Sequence, residues 1–440
     1  MTKKIYLDNA ATTFPKPPCV PEAVCRFMTE LGTNISRGGY ESAYETEELV
    51  FDTRSALCRL FDGPDPKNVI FTKNITESLN IILKGFLMPG DHVLVSSMEH
   101  NAVMRPLNQL GQEVGTPKDG SLPDRGAPEG TTRPGITFTR IPCLSDGTLC
   151  LDTMKNLLRP ETRAVVMMTA SNVCGTLMPI HEVGVFCQEH GLRFIVDSAQ
   201  TAGLFPLSMT DDHIDALAFT GHKSLLGPQG TGGFIIRDDL ARELTPLLSG
   251  GTGSFSHTED VPDILPDRFE PGTLNLPGII GLNAALKFLE ETGPANILAH
   301  EQIMTEALLE GLEPLIRQGK LRLIGKPAGE GRTGVVSIAL PVRDLSLTSA
   351  GVPASAPASG MPDFAPASAP ASGVPDIADI AYRLDAEYGI MTRVGLHCAP
   401  SAHKTLGTFP TGTIRFSVGH TTTKTEIDAA ITAITEILSC

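Results

Sequence analysis

Short apolar runs alternate with amphipathic stretches between about residue 69 and residue 236. The apolar runs are only a few residues long and rich in Val, Ile and Phe, as expected of buried strands. We predict strands at 69–72, 92–96, 164–169, 193–196, 216–219 and 233–236. The apolar spacing at 76–86 and 181–190 predicts helices between them. Strands that alternate with helices predict an α/β fold with a mostly parallel sheet covered by helices.

The pattern changes from Leu276 onward. We predict a helix at 281–291, a long helix that runs through Leu309, and a helix at 377–388 capped by Asp376. We also predict strands at 321–324 and 334–339, and a closing helix with Ile427, Ile431, Ile434 and Leu438 on one face. The mixture predicts a smaller α+β domain. We assign 21–275 to the large domain and 1–20 with 276–440 to the small domain.

Two segments interrupt these patterns. Residues 111–135 are rich in Gly, Pro and charge and predict a surface-loop insertion. Residues 349–375 are a low-complexity Pro/Ala/Ser insertion in which Ala-Pro-Ala-Ser recurs. Such a segment buries too little apolar surface to offset its ordering entropy, so we expect a disordered or semi-extended loop. A tolerated insertion is favoured over a functional lid, because long surface insertions cost little free energy.

Charge and composition narrow the classes of partner. The net charge of −15 argues against nucleic acid or an anionic membrane surface as the main partner. No apolar run is long enough to span a membrane, and the N-terminus has no signal-peptide pattern, so a cytoplasmic location is expected. Nine cysteines without a C-x-x-C pair indicate neither a disulfide framework nor a zinc site, and no metal site is predicted.

Lys223 follows a predicted strand, within Ala-Phe-Thr-Gly-His-Lys (218–223), and precedes a Gly-rich turn at 227–233. Asp197 ends the preceding strand. Pyridoxal phosphate requires such a pair, because the lysine amine forms a Schiff base and the carboxylate partners the pyridinium nitrogen. We therefore predict a pyridoxal phosphate site. Taken alone, Lys223 could equally be an ordinary surface lysine, and Asp197 could be an ordinary helix cap.

Polar residues near these two positions predict a phosphate site. Thr220 and His222 can donate hydrogen bonds to a phosphate, and Thr76 lies where a predicted helix begins after Asn74. The free N–H groups and dipole of a helix N-terminus favour an anion. The rival motif, a P-loop, is not indicated, because the chain has no G-x-x-x-x-G-K-[ST] string.

Three further residues are candidates for the same site. Gln200 follows Asp197 by one helical turn and could reach the same ring. His100 can stack on a cofactor ring and move protons near neutral pH, although a structural histidine fits equally well. Arg415, on a short predicted strand, could bind a substrate carboxylate bidentately, although a surface ion pair fits its spacing too.

Cys398 is the one cysteine whose neighbours favour reactivity. It lies in Arg-Val-Gly-Leu-His-Cys-Ala-Pro (393–400), with His397 beside it and Arg393 nearby. A cationic and partly exposed setting lowers the pKa of a thiol and favours the nucleophilic thiolate. We therefore predict that Cys398 is a catalytic nucleophile.

With these residues in view, the chain resembles the class V aminotransferase superfamily of fold-type I pyridoxal phosphate enzymes, in the cysteine desulfurase and selenocysteine lyase branch. The strings that carry the resemblance are Tyr-Leu-Asp-Asn-Ala-Ala-Thr-Thr (6–13), Ser-Arg-Gly (36–38), Ile-Thr-Glu-Ser-Leu-Asn (75–80), Met-Glu-His-Asn (98–101), Ser-Asn-Val-Cys-Gly-Thr (171–176), Val-Asp-Ser-Ala-Gln (196–200), Thr-Gly-His-Lys (220–223), Phe-Glu-Pro-Gly-Thr (269–273) and Arg-Val-Gly-Leu-His-Cys (393–398). The last is close to the Arg-x-Gly-x-His-Cys pattern of desulfurases with a short cysteine loop.

The resemblance implies a fold, a cofactor and roles for site residues. The implied fold has a mostly parallel seven-stranded sheet between helices and a smaller C-terminal α+β domain. Lys223 would bind pyridoxal 5′-phosphate, and Asn172 would lie with Gln200 beside the ring oxygen. Thr273 would reach the phosphate of a neighbouring subunit, which implies a homodimer. Arg415, Arg393 and Asn34 are the implied substrate-binding residues.

The implied activity is desulfuration of L-cysteine, in which Lys223 moves the Cα proton and the Cys398 thiolate takes the sulfur. Alanine would leave, and a persulfide would remain for an acceptor protein or a reductant. Selenocysteine lyases use the same residues, so the sequence does not distinguish the two activities. A class V aminotransferase or C–S lyase without persulfide chemistry, and a sulfur-carrier scaffold that docks a partner through 349–375, are further alternatives. Cys174 and the stretch 419–422 depart from the family pattern.

Overall fold

The computed structural model describes residues 4–35, 38–111, 135–255, 257–341 and 376–439. The predicted insertion at 349–375 lies outside the described residues, as do all but the ends of the predicted loop at 111–135 and two residues of the string at 36–38. Within the described ranges, none of the helices is long and apolar enough to cross a lipid bilayer.

Each strand whose bounds the sequence analysis gives is present, and its ends lie within two residues of the predicted ones. In chain order they are β1 (Ile5–Tyr6), β2 (Val69–Thr72), β3 (His92–Ser96), β4 (Thr137–Ile141), β5 (Thr162–Met168), β6 (Arg193–Asp197), β7 (Ala216–Thr220), β8 (Gly232–Ile236), β9 (Arg322–Ile324), β10 (Val335–Ala339), β11 (Ile390–Met391), β12 (Arg393–Gly395) and β13 (Thr413–Ser417).

The helices include all those that the sequence predicted, but the helix predicted at 281–291 begins earlier, at Leu276, where Asn275 caps it. In chain order they are α1 (Cys19–Arg26), α2 (Glu41–Leu60), α3 (Ile75–Phe86), α4 (Asn101–Leu110), α5 (Met154–Leu157), α6 (Ile180–His190), α7 (Asp238–Glu243), α8 (Leu276–Thr292), α9 (Pro294–Arg317), α10 (Ile377–Tyr388), α11 (Pro400–Thr405) and α12 (Lys424–Ile437). The expected cap of α10 is present, because the Asp376 side chain accepts a hydrogen bond from the Asp379 N–H at 2.7 Å.

A seven-stranded sheet forms the centre of the molecule, in the order β2-β8-β7-β6-β5-β3-β4. From β7 to β4 every neighbouring pair is parallel. β8 is antiparallel to both β7 and β2. The prediction of a mostly parallel seven-stranded sheet is therefore confirmed.

Both faces of this sheet are covered, which explains why its strands read as continuous apolar runs. Along β5, Val165 and Met167 pack in one apolar cluster with α1, α2, α6 and α8. Ala164 and Val166 pack in a second cluster with α3, α4 and α7. All four side chains are inaccessible to solvent. Alternate residues of β5 thus pack against the helices on opposite faces of the sheet.

A second, antiparallel sheet has the order β12-β13-β10-β9. It shares an apolar cluster with α9, α10 and α12, to which Leu308, Ile380 and Ile434 contribute. β1 pairs with β11, so the start of the chain lies against its C-terminal part. The smaller α+β unit is therefore present, while the boundaries assigned at 1–20, 21–275 and 276–440 stay predictions.

Some elements gave no clear signal in the sequence. β4 is an edge strand with largely accessible side chains, so it lacks the apolar run of its neighbours. α4 carries Pro106 inside the helix, and proline is normally a sign that a helix ends. α2 mixes exposed and buried positions, and the polar residues Thr46, Thr53 and Arg54 are among the buried ones, so its apolar pattern is interrupted. In each case, contacts with the rest of the fold outweigh a weak local pattern.

Candidate active site

Five strand ends meet at one edge of the large sheet. β2 runs parallel to β7, because β8 is antiparallel to both. The carboxyl ends of β2, β3, β5, β6 and β7 therefore lie together, where ligands bind in open α/β sheets. The predicted site residues at or just after these ends are Thr76, His100, Asn172, Asp197, Gln200, Thr220, His222 and Lys223.

Lys223 and Gln200 line a small cavity of about 30 Å³. The main-chain carbonyl of Lys223 accepts a hydrogen bond from the Thr13 hydroxyl at 2.8 Å, and the Gln200 amide donates to the Ala10 carbonyl at 3.3 Å. Burial lowers the pKa of Lys223 from 10.5 to about 8, although the charge of Asp197 acts in the opposite direction. A lysine with such a pKa is uncharged often enough near neutral pH to attack a carbonyl carbon.

Asp197 is 4% exposed at the end of β6. One carboxylate oxygen accepts a hydrogen bond from the Ala199 N–H at 2.9 Å. Asp197 therefore also caps the local backbone, which was the alternative interpretation of this residue. Burial raises the pKa of Asp197, while the Ala199 hydrogen bond and the charge of Lys223 lower it. A carboxylate this deeply buried is stabilised by a cationic partner, which a protonated pyridine ring would supply.

The predicted phosphate site contains polar atoms without partners. Thr220 is buried, and neither its hydroxyl oxygen nor Nδ1 of His222 has a hydrogen-bond partner among the described residues. Burial lowers the pKa of His222 to about 4, so the ring is neutral at neutral pH. Thr76 is exposed in the first turn of α3, whose N-cap is Asn74. Neutral donors and a helix N-terminus suit an anionic group.

Asn172 and Arg415 are in direct contact. The Asn172 side chain donates to the His397 carbonyl at 2.7 Å, and the main-chain carbonyl of Asn172 accepts from Nη1 of Arg415 at 3.0 Å. Oδ1 of Asn172 is buried and has no partner among the described residues. Arg415 is 3% exposed and Nη2 donates to Asp8 at 3.0 Å. Its ion pair is therefore buried and not a surface pair.

His100 begins α4, and its Nδ1 accepts the Ala102 N–H at 3.0 Å. Because Nδ1 is the acceptor, the ring proton lies on Nε2. Burial lowers the pKa of His100 to about 4, and the positive charges of Lys223, Arg105 and Arg415 contribute. His100 thus caps α4, as expected of a structural histidine. Its neutral ring is also close enough to Lys223 for the lysine charge to affect its pKa.

The loop that carries Cys398 is tied to this site. Cys398 is exposed. His397 and Cys398 have φ of +47° and +57°, a left-handed backbone that costs about 1 kcal/mol or more per non-glycine residue. The Asn101 N–H donates to the Cys398 carbonyl at 2.8 Å, and Asn172 holds the His397 carbonyl. Contacts with two site segments therefore fix the loop on either side of its thiol.

Thr273 and Asn34 line one cavity together, and Thr273 also lines a cavity of about 140 Å³ with Lys73 and Glu77, which flank Thr76. Thr273 and Asn34 are both exposed, and the cavity that they share is about 670 Å³. That cavity shares no lining residue with the cavity of Lys223. Arg393 lies near the site on β12, where its guanidinium donates to Asp8 at 2.9–3.2 Å.

Two buried acids were given no role by the sequence. Asp8 bridges Arg393 and Arg415. Glu99 accepts the Ser96 hydroxyl at 2.5 Å and the Met168 N–H at 3.1 Å, which fixes the segment before His100 to β5. Burial raises the pKa of Glu99 to about 8, so it is protonated at neutral pH. Both acids lie in strings that carry the family resemblance, but their contacts depend on the folded chain.

These residues fit pyridoxal phosphate. The unpartnered atoms of Asn172, Thr220 and His222 are buried polar groups that a bound polar cofactor would satisfy. Lys223 offers an amine of lowered pKa, and Asp197 a buried carboxyl group beside it. The donors, the amine and the acid match the phosphate, the aldehyde and the ring nitrogen of the cofactor.

The whole chain resembles known proteins in sequence. The chain is 28% identical to the probable cysteine desulfurase of Halobacterium salinarum, over 98% of this chain and 91% of that protein. It is 29% identical to cysteine desulfurase CsdA of Escherichia coli, over 99% of this chain and 94% of that protein.

The fold is also found among solved structures. The apo structure of cysteine desulfurase from Thermococcus onnurineus matches with a TM-score of 0.80 at 26% identity, and the match covers 99% of this chain and 95% of that one. The family model of aminotransferase class-V matches residues 5–117, 129–348 and 371–430. Family model, relatives and fold agree, and the chain belongs to the aminotransferase class-V family.

Proposed function

We propose that this protein is a pyridoxal phosphate-dependent cysteine desulfurase, which converts L-cysteine to L-alanine and leaves the sulfur on Cys398. The observation that carries the proposal is an exposed cysteine on a loop bound to Asn101 and Asn172, beside the site of Lys223. The relatives named cysteine desulfurases, which cover nearly the whole chain, support it.

When bound, pyridoxal phosphate supplies a ring that withdraws electrons from the bonds of the substrate Cα. The protein supplies the contacts that hold it. Thr76, Thr220 and His222 would bind the phosphate, Asp197 would partner the ring nitrogen, and Lys223 would bind the aldehyde carbon. His100 would stack on the ring, and Asn172 and Gln200 would lie beside the ring oxygen.

The chain's own residues orient the substrate and move its proton and its sulfur. Arg415 binds the α-carboxylate of L-cysteine, and the Lys223 amine moves the Cα proton. The Cys398 thiolate attacks the substrate sulfur, so that a sulfur–sulfur bond forms as the bond from sulfur to Cβ breaks. The electron pair of the broken bond stays with the substrate, which takes up a proton and leaves as alanine. A persulfide remains on Cys398 for a reductant or an acceptor protein.

We further propose a homodimer in which Thr273 reaches the phosphate bound by the neighbouring subunit. Within one chain, Thr273 and Asn34 line a different cavity from Lys223, which supports this arrangement. Phe51 lines the same cavity as these residues and is 58% exposed, as expected of a surface that a partner covers. The cytoplasmic location stays a prediction from the sequence.

The test is alanine production from L-cysteine by the purified, cofactor-loaded protein with a thiol reductant present. We expect alanine and sulfide in equal amounts, and loss of both in Cys398→Ser. Cys25→Ser is the matched control, because Cys25 is also exposed but lies on α1. Turnover that survives in Cys398→Ser would contradict persulfide chemistry. Alanine from L-selenocysteine but not from L-cysteine would favour the selenocysteine lyase alternative.

A further inference from the structure

Asp8 lies between two arginines that the fold forces to face each other. Arg393 and Arg415 are directly opposite in the antiparallel pairing of β12 with β13. Like charges at opposed positions of two strands repel and destabilise the pair. Asp8 accepts hydrogen bonds from both guanidinium groups, at 2.9–3.2 Å from Arg393 and 3.0 Å from Arg415. Its carboxylate therefore offsets one of the two positive charges and leaves a net charge of about +1.

The contacts at Arg415 show where a substrate carboxylate would bind. Nη1 donates to the main-chain carbonyl of Asn172, and Nη2 donates to Asp8. Nε is buried without a partner among the described residues. A carboxylate binds arginine bidentately through two adjacent N–H groups, either Nε with Nη2 or Nη1 with Nη2. Both pairs include Nη2. Nη2 has two N–H groups, and Asp8 takes one of them. A substrate carboxylate on the other would lie close to the Asp8 carboxylate, and the two negative charges would compete for the same guanidinium.

Asp8 can release Arg415 without losing its charge partner. Arg393 donates to both oxygens of Asp8, from Nε to Oδ1 and from Nε and Nη2 to Oδ2, and 49% of its side chain is accessible. The main chain around Asp8 is fixed to β13, because the Ser417 N–H donates to the Leu7 carbonyl at 2.8 Å. The carboxylate can therefore turn from one arginine toward the other but cannot leave the cluster.

We propose that Asp8 is a positioning residue that occupies Arg415 in the substrate-free enzyme and passes to Arg393 when an amino acid carboxylate binds. This inference rests on the proposed function, in which Arg415 binds the substrate carboxylate. Asp8 keeps Arg415 in place while the site is empty and limits how tightly amino acids bind there. Because Arg393 begins the segment that leads to Cys398, Asp8 also links the carboxylate site to the nucleophile loop.

The test is calorimetric titration of the cofactor-loaded protein with L-alanine, the product of the proposed reaction. Asp8→Asn removes the competing charge but keeps the side-chain shape, so we expect L-alanine to bind about five-fold more tightly. Arg393→Gln leaves Asp8 with Arg415 alone, so we expect binding about five-fold weaker. L-Alaninamide, which lacks the carboxylate, should show neither change. Asp385→Asn is the matched control, because it removes an exposed carboxylate paired with Lys4.

Opposite effects of the two variants on L-alanine, with no effect on L-alaninamide, are the expected result. Asp8→Asn that binds L-alanine no better than the unsubstituted protein, or Arg393→Gln that binds it no worse, would overturn the inference. If Asp8→Asn does not fold, Asp8→Ser, which also removes the charge, replaces it, and L-alanine binding that is no tighter in that variant would overturn the inference. The proposed function is tested separately, because alanine production from L-cysteine by the unsubstituted protein does not depend on either variant.

Discussion

Lys223 shows how burial and nearby charges together set the reactivity of one residue. Its pKa falls to about 8 because its amine is desolvated and because the charges of Arg415 and Arg393 disfavour protonation. Asp197 raises the pKa, but not enough to offset burial. The same side chain in water would be almost fully protonated at neutral pH and would react slowly with an aldehyde.

This pKa has a consequence for cofactor attachment. We expect covalent attachment of pyridoxal phosphate to the apoprotein to speed up about ten-fold per pH unit below about pH 8 and to level off above it, because only the neutral amine attacks. Borohydride trapping at timed intervals, with the label located on the Lys223 peptide, measures the rate. Lys223→Ala should take no label, and the exposed-site control Lys404→Met should be labelled normally. A rate that still rises ten-fold per unit near pH 10 would contradict the lowered pKa.

The residues found from sequence were those whose chemistry is visible locally. Lys223 and Asp197 follow strand ends, and Cys398 has cationic neighbours in its own segment. Asp8 was not found, because its partner Arg415 lies at the other end of the chain and only strand pairing brings the two together. Glu99 was missed for a similar reason, since its protonated state depends on burial that the string Met-Glu-His-Asn does not reveal.

At the scale of elements, a buried ion pair connects α2 to the segment that carries Thr273. Glu270 accepts two hydrogen bonds from Arg54, at 2.9 and 2.6 Å, and one from the Phe71 N–H on β2. Both charged side chains are less than 10% exposed. The pair therefore holds helix, strand and loop together, and removing one partner would leave an uncompensated buried charge.

We expect Glu270→Gln to lower the free energy of unfolding by about 3 kcal/mol, because Arg54 would lose its countercharge in a buried site. Urea unfolding of the cofactor-loaded protein measures the change. The control is Glu30→Gln, which breaks the exposed pair Arg26–Glu30 on one helical face and should cost less than about 0.5 kcal/mol. Equal, small effects in the two variants would show that the buried pair does not stabilise the fold.

The elements were predicted well where the sheet is buried on both faces and poorly where it is not. β5 to β8 read as apolar runs because both helical layers cover them. β4 has only one neighbouring strand and stays accessible, so its residues carry no such signal. The antiparallel direction of β8 was not predicted either, because an apolar run does not encode strand direction.

At the scale of the whole molecule, the two cavities divide the implied site residues into two groups. Lys223 and Gln200 belong to one cavity, and Thr273 and Asn34 to the other. Within one chain, Thr273 therefore does not line the cavity of Lys223. A second copy that brings its Thr273 to the Lys223 site would complete both sites at once.

The homodimer can be tested at its exposed apolar surface. We expect Phe51→Asp to shift the protein from dimer to monomer in sedimentation velocity and to weaken pyridoxal phosphate retention, because a buried charge would oppose association. Tyr382→Asp is the matched control, since Tyr382 is 71% exposed on α10 and does not line the cavity of Thr273. A monomeric unsubstituted protein that retains its cofactor would contradict the dimer.

The central claim is that Cys398 receives the sulfur of L-cysteine. The most direct measurement is mass spectrometry of the cofactor-loaded protein after brief reaction with L-cysteine, without reductant and with persulfides trapped by alkylation. We expect one added sulfur atom on the Cys398 peptide, none on the peptide of the exposed Cys25, and none in Lys223→Ala. Alanine formation with an unmodified Cys398 peptide would contradict the claim, because the sulfur would then leave without passing through this thiol.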